Sequence, residues 1–295
     1  MKHVVVVYQF GKVASTSLVA TLNALPDVEA VQAHFLGRAS LKEMVDLIVD
    51  PGTGDYFHRH QVGQFIENAR TTRLIQAHRQ GLAGDAALSI ITLCRDPFDW
   101  FRSSLIQDMA GYRPVLEGLQ ASAGDDGDED SIRKALERMF ALFAGIIDEF
   151  GGIDALIERQ ATDKKCLSGH AALSASRGLL AMFYMMLRPF SWFEAHYRTA
   201  IGHDLTEFRD IGGAVLYRDA GWSKLILLRY EDLGDQIGIA GRKLGIGPVE
   251  ELVRENLSGG KEMAQTVAAA FRSDAAGELH ARFRATAYAR RFGYA

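Results

Sequence analysis

Four consecutive valines, Val4 to Val7, run into Tyr8 and then into Gln9-Phe10-Gly11-Lys12-Val13-Ala14-Ser15-Thr16-Ser17. A short β-branched apolar run, Val4 to Tyr8, reads as a buried strand, and Gly11 breaks it. From Ser15 to Leu25 the apolar residues fall at Leu18, Val19, Leu22 and Leu25, a helical spacing, and Pro26-Asp27 closes it. A chain that opens strand, turn, helix is committed early to an α/β architecture.

The alternation continues. Val28 to Phe35 reads as a second strand, and Leu41 to Val49 as a helix closed by Asp50-Pro51-Gly52. Residues 52–63 read as a loop and Phe65 to Gln80 as a helix. Leu88 to Cys94 is the clearest central strand, and Phe98 to Met109 begins another helix. The order β-α-β-α-β-α predicts a central parallel sheet flanked by helices. The acidic stretch Asp125 to Asp130 reads as a surface loop with a helix from Ser131. Residues 131–200 read as largely helical, Leu225 to Arg229 as a late strand, and the tail from Glu250 as helix-rich. No linker divides two cores, so residues 1–295 are expected to form one domain, with a helical lid or acceptor region at about 110–200.

Composition narrows the function classes. A net charge of −4 argues against a general nucleic-acid binder, so any anionic ligand must be held by a few local cations. Two cysteines, Cys94 and Cys166, make a disulfide framework unexpected. No apolar run is long enough to cross a membrane, and Val4 to Val7 is too short for a signal peptide's apolar region. The expected location is cytoplasmic.

The first strand–helix connection suits an anion. The leading N–H groups of a helix lack partners, and its dipole places partial positive charge there. Gly11 permits a tight turn, Lys12 supplies a cation, and Val13 and Ala14 carry the backbone past the ligand. Ser15, Thr16 and Ser17 offer hydroxyls. It is not a Walker A loop: the position five residues before the Gly-Lys pair is Val6, not glycine. The plainer alternative is an ordinary connection with an N-capping Ser or Thr.

A second anion clamp is encoded after the central strand, in Cys94-Arg95-Asp96-Pro97-Phe98-Asp99-Trp100-Phe101-Arg102-Ser103. Arg95 ends the strand, and Ser103 follows it by eight residues, about two helical turns on. The plainer alternative is an Arg paired with Asp96 or Asp99.

The two segments together resemble the sulfotransferases that use 3′-phosphoadenosine-5′-phosphosulfate (PAPS). In that family a basic N-terminal turn holds the 5′-phosphosulfate, and a strand ending in Arg-Asp-Pro, with Ser eight residues after the Arg, holds the 3′-phosphate. Lys12 and Thr16 match the first motif, Arg95 and Ser103 the second. Arg229-Tyr230-Glu231-Asp232-Leu233 resembles the segment whose Tyr lies near the adenine. Together with Trp192-Phe193-Glu194, these islands resemble a sulfotransferase-like group of bacterial capsular polysaccharide synthesis proteins. Lys261 matches a Lys that closes over the cofactor, although Lys261-Glu262-Met263-Ala264 replaces an aromatic-rich stretch.

The resemblance implies a P-loop-like fold and transfer of a sulfuryl group from PAPS to a hydroxyl, with PAP as product and no metal. The implied acceptor is a carbohydrate or polysaccharide precursor; a small molecule or a tyrosine is the alternative. Such a transfer needs a cation at the bridging oxygen, assigned to Lys12, and a general base. His34 ends the second strand on the side of Lys12 and Arg95 and is the favoured base; His78 is its rival. His58-Arg59-His60 reads as an exposed loop rather than a metal site. Two other classes compete. A kinase-like phosphotransferase needs a metal-binding carboxylate at a strand end. A non-catalytic nucleotide-binding protein of polysaccharide assembly keeps the clamps without turnover.

Overall fold

The computed structural model describes residues 3–49, 59–121, 129–174, 176–249, 251–253 and 263–295. The chain divides into two compact units, Met1–Arg95 with Trp192–Asn256, and Asp96–Ser191 with Leu257–Ala295.

The first unit is α/β. Its strands are β1 (His3–Tyr8), β2 (Val28–Ala33), β3 (Ala87–Cys94), β4 (Arg209–Asp210), β5 (Leu216–Asp219) and β6 (Lys224–Arg229). They form one sheet in the order β2-β1-β3-β6-β5-β4. β1 pairs parallel with β2 and β3, and β3 parallel with β6. Val4 to Tyr8 is buried throughout, which is why its apolar run is unbroken rather than alternating. Helix α1 (Ser15–Asn23) packs on β1 and β2. Helices α2 (Gly37–Val49) and α3 (Arg59–Arg79) complete the crossover to β3, and the same unit holds α9 (Thr199–Ile201) and α10 (Leu233–Leu244), the latter packed on β6.

The expected parallel sheet needs correction: the sheet is mixed. β5 runs antiparallel to β6, and β4 antiparallel to β5. Gly212, Gly213 and Ala214 all take positive φ and turn the chain between β4 and β5, and Gly221 does so between β5 and β6. At the β4 edge the last strand is two residues long, which leaves little unpaired edge on that side. The loop expected over 52–63 also needs correction. Its first part lies outside the described residues, but from Arg59 onward the chain is already α3. One exposed glycine, Gly63, is tolerated inside that long helix.

The second unit is helical, built on α4 (Pro97–Ala121), α5 (Glu129–Glu149), α6 (Ile153–Thr162), α7 (Ala171–Ser174), α8 (Arg177–Trp192), α11 (Ala264–Ala270), α12 (Asp274–Arg284) and α13 (Ala287–Phe292). α5 starts two residues before the expected Ser131. It packs on α4, α11 and α12. Phe101, Phe140 and Phe271 pack edge-on or tilted at its centre, with ring centroids 4.9–6.2 Å apart. Phe283 and Phe143 extend that core.

Candidate functional site

The sheet order defines where a ligand belongs. β1 sits between β2 and β3, so the chain leaves β1 to one side and crosses back to the other. Ligands of open α/β sheets bind at such a switch point, outside the carboxyl ends of the strands. Gly11 to Ala14 follow β1, His34 follows β2, Arg95 follows β3 and Tyr230 follows β6. Four expected positions therefore stand at the carboxyl ends of four parallel strands of the first unit.

The turn after β1 is strained. Gly11, Lys12 and Ala14 have φ of 95°, 55° and 58°. An L-residue held left-handed costs about 1–2 kcal/mol, which glycine does not incur. Val13, between Lys12 and Ala14, is not among the positive-φ residues. Alternating hand along successive residues turns their N–H groups into one concave surface, which favours anions. Helix α1 follows directly. Its N-cap is Ala14, with no side-chain cap, and its first intrahelical bond runs from Leu18 N–H to the Ala14 carbonyl. The alternative of an N-capping Ser or Thr is thereby removed. Ser15 and Ser17 are buried in the first turn, and Thr16 is exposed.

Arg95 reaches this turn. Its Nη1 donates to the Lys12 carbonyl at 2.6 Å, and its guanidinium carbon lies 4.1 Å from the Tyr230 ring centroid. The Tyr230 N–H donates to the Cys94 carbonyl at 2.8 Å, which anchors the ring beside the strand end. Lys12, Arg95 and Tyr230 are thus one contiguous cluster, with a planar cation stacked on an aromatic face. The two carboxylates weighed as partners for Arg95 have work in the second unit. Asp96 accepts the N–H groups of Phe98 and Asp99 at the start of α4, and Asp99 pairs with Arg102 at 2.9 Å.

His34 is wired to the same turn. Its Nδ1 lies 3.1 Å from the Gln9 carbonyl, and its Nε2 lies 2.9 Å from the Gln32 side-chain nitrogen. A carbonyl only accepts and an amide nitrogen only donates, so these partners assign the proton to Nδ1 and the lone pair to Nε2. The Gln9 side-chain nitrogen is also 3.3 Å from Nδ1. That contact is longer and donor faces donor, so the carbonyl is the partner of Nδ1. The oxygen of the same Gln9 amide accepts the Gly11 N–H. The Gln32 nitrogen donates a second time, to Ser15 Oγ at 2.9 Å. Asn68 on α3 accepts the His34 backbone N–H at 3.1 Å.

Other expected residues lie elsewhere. His78 is on α3, ten residues beyond Asn68, about 15 Å further along the helix axis. Its ring is half-buried and its Nε2 is fully buried with no hydrogen-bond partner. Burial lowers its pKa from the ordinary 6.5, and burial followed by Lys224 does the same for His3. An imidazole held neutral in the fold protonates more readily when unfolded. The stability it contributes is present above 6.5 and is lost as pH falls through that range. The thermal midpoint is therefore expected to drop between about pH 7 and pH 5, with part of the drop removed in His78→Gln. Identical acid limbs in the two proteins would reject this.

Ser103 lies on α4 in the second unit, half-buried beside the buried Ser104. Lys261 and His58 lie outside the described residues, and Arg59 and His60 open α3. Trp192 and Phe193 are core. Trp192 packs on Tyr8 and Phe10 at centroid distances of 4.8 and 5.5 Å, where the chain enters a π-helical segment, Phe193–Arg198. Glu194 pairs with Arg198, and His196 contacts Ser40 at 3.3 Å. A cleft of about 560 Å³ bordered by Glu149, Arg159 and Cys166 belongs to the second unit and includes no expected site residue. Among the described residues no group of three or more His, Cys, Asp or Glu is placed to hold a metal, and no helix is long and apolar enough to cross a membrane.

Gln9 and Gln32 were missed in the sequence. Both carried a signal. Gln9 is a polar residue continuing a buried strand, and Gln32 precedes His34 by two, a spacing that puts both on one face of the strand expected over Val28 to Phe35.

Comparison with family models, with curated proteins and with solved structures finds no match to this chain.

Proposed function

We propose that this protein is a sulfotransferase that takes PAPS as donor and a hydroxyl, on a carbohydrate or polysaccharide precursor, as acceptor, on a P-loop-like α/β core. The observation that carries the reading is the hydrogen bond from Arg95 to the Lys12 carbonyl with Tyr230 stacked beneath the guanidinium. It joins residues from three separated segments, each selected by its own likeness to a PAPS-binding motif. A strained, uncapped turn before α1 supports the same reading, because strain of this kind persists where it preorganises a site.

In this reading the N–H groups of the turn, with Lys12, Ser15, Thr16 and Ser17, receive the 5′-phosphosulfate. Arg95 receives the 3′-phosphate, and Tyr230 lies along the adenine. The sulfur–oxygen bond to the 5′-phosphate breaks as a bond forms from sulfur to the acceptor oxygen. The departing phosphate keeps the electron pair, and the acceptor's proton goes to Nε2 of His34. Lys12 and the turn stabilise the charge that develops on the departing oxygen. Nε2 already carries the lone pair, and Gln32 must turn aside for the acceptor hydroxyl to reach it.

Thermal stability with PAP, with ATP plus magnesium and without ligand tests the reading, since a ligand that binds only the folded state raises the midpoint. PAP is expected to raise it. No response to PAP with a clear response to ATP would instead favour a phosphotransferase. For the base, His34→Ala is expected to lower turnover by about 10²-fold or more while PAP affinity stays within about threefold. If His78→Ala abolishes turnover and His34→Ala does not, the base is misassigned.

A further inference from the structure

Gln32 stands between the two working parts of the site and belongs to neither. Gln32 is the penultimate residue of β2, His34 follows the strand's end, and Ser15 is the first residue of α1. One nitrogen, Gln32 Nε2, lies 2.9 Å from Ser15 Oγ and 2.9 Å from His34 Nε2. An amide nitrogen has two hydrogens, so it satisfies both contacts at once. Each has a directional consequence. Ser15 Oγ accepts from Gln32, so its own hydroxyl hydrogen turns away from Gln32 and is left to donate. His34 Nε2 accepts from Gln32, so the ring's proton is kept on Nδ1, facing the Gln9 carbonyl at 3.1 Å.

We propose that Gln32 is a positioning residue, which fixes the His34 tautomer with its lone pair on Nε2 and the Ser15 hydroxyl as a donor to the bound anion. The catalytic part of this assignment rests on the sulfotransferase reading, but the tautomer does not. The amide orientation matters because reversing it reverses both effects. An oxygen facing Ser15 and His34 would draw the hydroxyl hydrogen inward and require a proton on Nε2, disarming the base and withdrawing one donor from the anion.

Nitrogen-15 NMR of the histidine side chains tests the tautomer directly, with His34→Asn identifying the His34 signals. The wild-type ring at neutral pH is expected to show protonated Nδ1 and unprotonated Nε2. Gln32→Leu is expected to give a mixture of tautomers, and Gln32→Glu, which only accepts, to add a proton at Nε2 while the Gln9 carbonyl keeps the one on Nδ1. Calorimetric titration of PAP is expected to show a loss of about 2- to 10-fold in Gln32→Leu, the range of one hydrogen bond. Turnover is expected to fall through kcat rather than KM for the acceptor. An unchanged tautomer in both Gln32 variants overturns the proposal, whether or not the protein binds PAP. A wild-type protein that shows the expected tautomer shifts but does not bind PAP overturns the sulfotransferase reading and leaves the role of Gln32 in ordering the ring standing.

Discussion

Arg95→Ala is expected to remove nearly all of the thermal stabilisation that PAP confers. Two losses combine. The guanidinium donates to the Lys12 carbonyl, so its removal frees the carbonyl of a residue held at φ 55°. It also removes a planar cation from the end of β3, where a charge-assisted hydrogen bond to phosphate contributes about 1.5–3 kcal/mol. That energy corresponds to a fall in affinity of about 10- to 150-fold. At a PAP concentration of 100 times the wild-type Kd, stabilisation is about 2.7 kcal/mol. A hundredfold weaker site under the same conditions keeps only about 0.4 kcal/mol by the same relation. Arg95→Lys is expected to fall between, because a lysine keeps the charge but not the planar stack on Tyr230. A PAP-induced rise of equal size in wild type and Arg95→Ala would remove Arg95 from the site and with it the main support for the proposed function.

The parts of the first unit that were legible in the sequence are those governed by one strong local signal. β1 is a continuous apolar run and β3 nearly so because both faces are covered, and Arg95 could be placed at a strand end from β3 alone; His34 and Tyr230 follow the strands read before them, β2 and β6. β4 and β5 were not read, although Gly212-Gly213 between Ile211 and Val215 is a hairpin signal. The strands are two and four residues long, too short for alternation to stand out. The candidate site was legible as charges and hydroxyls placed at strand ends. Its wiring was not, because a hydrogen bond from Gln32 to both Ser15 and His34 depends on register between β2 and α1, which no local pattern encodes. The strain at Lys12 and Ala14 was equally hidden. Neither residue type suggests a left-handed backbone, and it follows only from the closure of the turn against α1.

Lys12→Gly follows from that strain and is expected to move stability and activity in opposite directions. Lys12 occupies φ 55° without the freedom of glycine. Relief of a left-handed L-residue returns about 1–2 kcal/mol, and the greater freedom of glycine in the unfolded chain offsets about 0.4–1 kcal/mol. A net gain of up to about 1.6 kcal/mol in folding free energy is expected over Lys12→Ala, which lacks the cation but keeps the strain. Turnover is expected to fall in both variants by about 10²–10³-fold, the usual effect of removing one donor that faces developing charge. Denaturant midpoints with unchanged slopes give the stability comparison, and initial rates with PAPS and a sugar acceptor give the activity. A Lys12→Gly protein no more stable than Lys12→Ala would mean that the turn is not strained at this residue. A Lys12→Gly protein that keeps turnover within about tenfold of wild type would mean that no cation is needed there. If stability rises while turnover collapses, the left-handed lysine is kept for its charge at the turn, against the preference of the backbone that carries it.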